Sequence, residues 1–276
     1  MGGALPRIGT AGWSLPRAWQ DAFPADGSHL QRYAAVFSGV EINSSFYRQH
    51  RRATYARWAA SVNASFRFAV KVPRAITHDQ ALVASDVLLE VFLEEVTGLG
   101  DNLGPLLVQL PPSQQFDASR AGDFFACLRG MHAGPVACEP RHPTWFSRDA
   151  GELLADHMVA RVAADPACVP EAALPGGWRG LTYLRLHGSP RMYYSAYSSD
   201  ALAAVLCRLS DAPASPGERW CMFDNTTLGA ATGNALDLMA RARAECEPPH
   251  GTQRMGTHLR ARREGSIISS PYAEET

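Results

Sequence analysis

Short apolar runs alternate with longer amphipathic ones along nearly the whole chain, and that alternation sets the choice of folds. Strands are expected at 7–13 (RIGTAGW), 39–43 (GVEIN), 66–73 (FRFAVKVP), 103–111 (LGPLLVQLP), 134–141 (GPVACEPR), 160–165 (ARVAAD), 182–188 (TYLRLHG) and 218–225 (ERWCMFDN). Helices are expected between them at 28–37, 51–62, 85–99, 117–131, 149–158 and 198–211, with a last one at 230–245. Ser28 with Gln31 has the capping-box spacing, and Ser85 is the expected N-cap of its helix. Thr77 and His78 fall in the loop after the third strand. The stretch 166–181 is rich in proline and glycine, so the helix after strand six is short or missing.

Eight strands alternating with seven or eight helices over roughly 240 residues match an α/β fold of the (β/α)8 TIM-barrel type, as one domain spanning 1–245. With 276 residues, 46% of them hydrophobic, the chain can fill such a core. A doubly wound open sheet is the alternative, and strand parity favours the barrel. Glu41 and Asn43, Lys71, Gln109, Glu139 and Arg141, Asp165, and Arg185 and His187 all oppose the more apolar face of their strand, near its C-terminal end. A barrel gathers such groups at one mouth. The tail, 246–276, is poor in periodic apolar residues and reads as disordered.

Lys71 is the single lysine in a chain whose Lys and Arg together number 26. Where arginine is the default cation, a lysine marks a need for a compact charge or for an amine that can lose its proton. The formal net charge of -1 disfavours nucleic acid as the main partner. The first twenty residues lack an uninterrupted apolar core of the signal-peptide kind and no apolar run approaches eighteen residues, so neither a signal peptide nor a membrane partner is expected. Cys127, Cys138, Cys168, Cys207, Cys221 and Cys246 lack CxxC spacing and are expected to be buried and reduced, which suits the cytoplasm. Oligomeric state is left open.

The expected mouth holds the carboxylates Glu41, Glu139, Asp165 and Asp224 and the cations Lys71, Arg141, Arg185 and His187, with His78 and His142 in loops. One reading is acid–base catalysis by Glu41, Lys71, Glu139, Asp165, His187 and Asp224 on a small anionic, phosphorylated or sugar-like molecule. Asn43, His78, Gln109, Arg141, Arg185, Asn225 and Thr226 would bind that substrate. Hydrolase, lyase and isomerase are not distinguished. A second reading makes Lys71 a Schiff-base amine; Glu41 and Glu139 oppose it by keeping the ammonium charged. A third, metal-assisted hydrolysis or phosphodiester cleavage, is opposed by the cations in the mouth and by the lack of HxH or HExxH spacing. No cofactor and no metal is called for. The segment 225–233 (NTTLGAATG) sits where barrels often bind phosphate, with Thr226 and Thr227 as hydroxyl donors. A non-catalytic barrel binding a ligand or nucleic acid, with Tyr193, Tyr194 and Tyr197 as stacking surfaces, is the remaining class. Lys71→Met is expected to leave carboxylates uncompensated at a cost in stability.

The stretches IGTAGWS, VEINSSFYR, FAVKVPRAITH, VQLPP, CEPRHPTW, YLRLHG and FDNTTLGAATGNA, in this order over 8–238, resemble the YecE-like family, a domain of unknown function numbered seventy-two in its series. The resemblance implies a TIM-type barrel and supplies no activity. The chain departs from the family pattern at Leu15 after GWS and at Pro140 after Glu139.

Overall fold

In the computed structural model, which describes residues 5–210 and 217–246, the strands are short and almost wholly buried. β1 (Arg7–Thr10), β2 (Gly39–Ile42), β3 (Arg67–Lys71), β4 (Leu103–Gln109) and β5 (Val136–Glu139) are each followed by a helix: α1 (His29–Ala34), α2 (Arg52–Ala60), α3 (Asp86–Val96), α4 (Ala118–Met131) and α5 (Arg148–Asp156). Next come β6 (Val159–Arg161), β7 (Ala163–Asp165), β8 (Gly176–Gly177), β9 (Leu181–Leu186), α6 (Ser199–Ser210), β10 (Glu218–Phe223) and α7 (Ala230–Cys246). The chain is thus a mixed α/β fold on two sheets, ordered β2-β3-β4-β5-β6-β8 and β1-β10-β9-β7. All pairs are parallel except β6 with β8. The run expected as one sixth strand is divided at Val162, whose amide donates to Cys138 O (2.9 Å), so its two halves pair in different sheets. Between β1 and β2 there is a parallel bridge of Ala11 with Glu41.

Period-two alternation sends each strand's side chains into two separate apolar clusters. Val70, Val108, Cys138, Leu184 and Phe223 pack with residues of the helices, whereas Ala69, Leu107, Ala137, Tyr183, Trp220 and Met222 form an inner cluster. Trp220 stacks on Tyr183 at 6.0 Å, and a Cβ on Gly104 would lie 2.9 Å from the Trp220 ring. Backbone crowding is tight at Gly9, where a Cβ would run into Gly39 O and sit 2.8 Å from the Tyr33 hydroxyl. Gly9→Ala is therefore expected to lower unfolding free energy by about 1–3 kcal/mol, because backbone must move. Gly130→Ala, on the exposed α4 surface with nothing within 4 Å, is expected to raise it by about 0.5–1 kcal/mol. Denaturant unfolding of both variants checks the contrast.

Ser28 makes the expected capping box with Gln31, and Asp117 caps α4 through the Arg120 amide at 2.9 Å. Ser85 stands at the N-cap position of α3, as expected, but its side chain makes no capping hydrogen bond. Its hydroxyl donates to Val83 O (3.2 Å), in a loop where Ala81, Leu82 and Ala84 take positive φ. Thr77 and His78 lie in a π-helical turn, Ala75–Asp79, where a loop was expected. Between β7 and β9 there is only a short 3-10 turn, Pro170–Ala173, besides β8.

The cysteines divide. Cys138 and Cys221 are buried, Cys127 is half-buried, and Cys168 and Cys207 are exposed, which corrects the expectation that all are buried. The side chain of Cys246 and the tail beyond it lie outside the described residues. Among the described residues no helix is long and apolar enough to cross a membrane.

Candidate functional site

β9 organises the site because Tyr183, Arg185 and His187 share its inward parity and rise along it in that order. The Tyr183 hydroxyl donates to Glu41 Oε2 (3.0 Å). Above it Arg185, 1% exposed, is a hub. Its Nε and Nη2 grip Glu41 at 3.0 and 2.7 Å, Nη1 donates to Glu139 Oε2 (3.1 Å), and Nη2 also reaches Asp224 Oδ2 (2.9 Å). One planar cation thus serves carboxylates from β2, β5 and the end of β10, which a point charge on a flexible stem would not do.

His187 is fully buried with a carboxylate at each ring nitrogen: Asp224 Oδ2 at 3.0 Å from Nδ1 and Glu139 Oε1 at 2.8 Å from Nε2. Arg141 Nη2 approaches both members of the second pair, 2.7 Å from Glu139 Oε1 and 2.6 Å from His187 Nε2. A guanidinium only donates, so its bond to Nε2 needs the ring's lone pair, while the Glu139 bond needs a proton between ring and carboxylate. Arg141 and the Glu139 carboxylate thus make opposite demands on His187 Nε2, a lone pair for one and a proton for the other. Burial alone would raise the Glu139 carboxyl, but Arg141, Arg185 and His187 outweigh it and hold the group well below the usual carboxylate range. Asp224 is lowered in the same way: burial opposes ionisation, and Arg185, the His187 hydrogen bond and Lys71 overcome it.

Lys71 ends β3, 4% exposed, with Nζ 4.0 Å from the centre of the Phe46 ring. Among the described residues no carboxylate oxygen lies within 4.0 Å of that nitrogen. Burial, and next the positive charge of Arg185, push the amine down to about 8 against the pull of Glu41, Glu139 and Asp224. The neighbouring anions do pull the amine toward its charged form, as expected, but Arg185 engages those anions and burial outweighs them, so the ammonium loses its proton more readily than an ordinary lysine's. His78 meets the other edge of Phe46 (4.9 Å) and contacts Thr77 Oγ1 through Nδ1 (2.9 Å). Burial, Lys71 and Arg74 lower its ring.

Other expected site residues stand apart. Asp165 does not join the cluster: its Oδ2 accepts from the Tyr197 hydroxyl at 2.6 Å. In ARVAAD the inward parity belongs to Ala160 and Val162, so the polar parity of Arg161 and Asp165 faces outward, and the expected cavity loses this carboxylate. Asn43 is half-buried beside Ala11, Trp13 and Tyr47, with no partner for Oδ1 among the described residues. Gln109, half-buried, is the register partner of Glu139. Asn225 is fully buried and donates to Ser195 O (2.8 Å) and Asn234 Oδ1 (3.0 Å), a structural tie across loops.

The expected phosphate loop is largely self-satisfied. Gly229 N donates to Thr226 O (3.1 Å), Thr227 N to Tyr193 O (3.2 Å) and Ala231 N to Asn225 O (3.1 Å). Of the three tyrosines, Tyr197 bonds Asp165 and the Gly188 amide, and Tyr194 lies under Arg191 at 3.8 Å. Only Tyr193 meets the cluster, edge-on to His187 at 5.7 Å, from a backbone held at φ 68°. Tyr183, Phe46 and this contact of Tyr193 are absent from the residues expected on sequence. Tyr183 was legible from its parity with Arg185; the approach of Phe46, on the Ser44–Phe46 turn after β2, depends on tertiary packing. Among the described residues no three His, Cys, Asp or Glu side chains are grouped to hold a metal ion.

A family model, Protein of unknown function DUF72, matches residues 7–256. UPF0759 protein YecE of Escherichia coli (strain K12) is 30% identical over 146 residues, 52% of each chain, so that match spans about half the length of the relative. UPF0759 protein YunF of Bacillus subtilis (strain 168) is 23% identical over 84% of this chain and 93% of its own. Among solved structures, a DUF72 family protein of Enterococcus faecalis V583 superposes with a TM-score of 0.73 at 19% identity, covering 87% of this chain and 96% of the other. One from Thermotoga maritima MSB8 gives 0.71 at 23% identity, covering 87% and 100%. With the family model spanning nearly all of the strands and helices described above, the chain belongs to the DUF72 family.

Proposed function

We propose that this protein is an enzyme that moves protons on a small anionic molecule at the cluster of Lys71, Glu139, His187 and Asp224. The observation that carries the reading is the triangle of Arg141, Glu139 and His187, in which one nitrogen faces both a donor and an acceptor. A proton on that nitrogen would lie between two bases with Asp224 behind the ring, the arrangement a general acid–base pair needs. Arg141 supports an anionic substrate. Its side chain is 12% exposed, and its Nε has no partner among the described residues.

We further infer that the two sheets form one closed barrel of the TIM type. Supporting it are the Ala11 to Glu41 bridge, the single residue Val162 that separates strands of different sheets, and the single apolar cluster that draws residues from both sheets. In such a barrel the candidate groups occupy the catalytic rim.

The test uses deuterium. Wild-type protein incubated in D2O with a mixture of hydroxy, keto and sugar acids is expected to exchange C–H for C–D in at least one, read by proton NMR. Glu139→Gln and His187→Asn, each checked for folding by circular dichroism, are expected to slow that exchange by about 10²–10⁴-fold. If no compound exchanges and both variants unfold at lower denaturant than the wild type, the cluster is a packed ion-pair core and the proposal fails.

A further inference from the structure

We infer that Lys71 takes a carbonyl compound bearing a carboxylate or phosphate as a Schiff base. This deepens the acid–base reading and rests on it. The lysine is the only one in the chain, sits at the end of a strand in the same cluster, and is 4% exposed. Its nitrogen lies over an aromatic face with no carboxylate within ion-pair distance among the described residues. A structural ammonium buried to this degree is expected to be paired. Here the three nearest carboxylates are instead gripped by Arg185, which leaves the amine without a counter-ion in contact and with a cation in its field. That is the environment in which an amine gives up its proton and becomes a nucleophile.

The step balances without an oxidant or reductant. The neutral Lys71 nitrogen forms a C–N bond to the carbonyl carbon, and the carbonyl π pair moves to oxygen, which takes up the proton that the nitrogen then gives up, leaving a neutral carbinolamine. Loss of that oxygen as water, with one further proton supplied, gives the iminium. The Glu139–His187 pair, 2.8 Å apart, is the acid–base couple that moves these protons in this scheme, and Arg141 is the cation for the substrate's anionic group.

The test exploits the lone lysine. Native protein at pH 7 is treated with cyanoborohydride and, in turn, pyruvate, glyoxylate, dihydroxyacetone phosphate, and acetone as the uncharged control. Trapping adds the probe less one oxygen atom and blocks tryptic cleavage after Lys71, leaving Phe68–Arg74 intact; the only other amine is at the amino terminus. The expected result is Lys71 labelling by an anionic probe at least tenfold faster than by acetone, faster in native than in guanidinium-unfolded protein, and abolished in Lys71→Met. Labelling confined to the amino terminus with every probe overturns the inference. Equal labelling by acetone overturns the assignment to anionic carbonyls. Deuterium exchange that persists without any Lys71 adduct sinks the Schiff base alone, whereas loss of exchange is the failure of the underlying reading.

Discussion

Arg185→Met should lose about 3–5 kcal/mol of unfolding free energy at pH 7, the cost of removing one partner from a buried ionic network. The guanidinium bonds Glu41, Glu139 and Asp224 and is 1% exposed, so its loss leaves three enclosed carboxylates with the Tyr183 hydroxyl, Arg141 and His187 as the remaining contacts. The pH dependence identifies the cause. In the wild type Glu139 and Asp224 are lowered relative to the unfolded chain, so their contribution is present above about pH 4 and is lost as pH falls through their folded values. Without Arg185 their carboxyls rise, and the folded variant takes up protons at higher pH than the unfolded chain. Its deficit against the wild type should therefore shrink on acidification from pH 7 towards pH 5, in urea unfolding at each pH. A deficit independent of pH would mean lost packing rather than uncompensated charge. Arg185→Lys should recover part of the loss, since it keeps the charge without the fork that serves three carboxylates.

Parity carried most of what was legible. A period of two on TYLRLHG put Arg185 and His187 on one face, and the same rule on GVEIN and VACE assigned Glu41 and Glu139, all four of which meet in space. It failed at ARVAAD because four of six residues there are small and apolar, so neither face is marked. The break at Val162 then turned Asp165 toward Tyr197. Parity also states a face and not a partner. Nothing local shows that Arg185 rather than Lys71 neutralises the carboxylates, because that depends on reach across strands: the longer, forked side chain on β9 reaches β2, β5 and the end of β10, leaving the lysine over Phe46. Strand ends were overextended for a related reason. Arg141, His187 and Asp224 continue the alternation beyond the last ladder residues, Glu139, Leu186 and Phe223, so their side chains stay with the cluster while their backbones enter loops.

The same geometry reverses the expected outcome of Lys71→Met, which should stabilise the protein near neutral pH. The folded amine titrates at about 8 while the unfolded lysine does so at about 10.4. Between those values the unfolded chain binds more protons, so wild-type stability rises with pH, and below pH 8 the full cost of holding a buried ammonium applies. That difference corresponds to roughly 3 kcal/mol at most. Methionine fills similar space over Phe46 without a charge. The variant is therefore expected to exceed the wild type by about 2–3 kcal/mol at pH 7, with the gap closing by pH 10. The groups bearing on the amine are Arg185, which lowers it, and Glu41, Glu139 and Asp224, which raise it, so Arg185→Met in turn should move the Lys71 titration upward. Lys71→Arg supplies the contrast: a guanidinium does not deprotonate in this range, so its stability relative to Lys71→Met should stay constant from pH 7 to 10. Urea unfolding at several pH values, with NMR titration of the single lysine in 13C-lysine-labelled protein, reads both effects. A lysine resonance titrating near its ordinary value, with Lys71→Met no more stable at pH 7, would return Lys71 to the role of a paired structural cation.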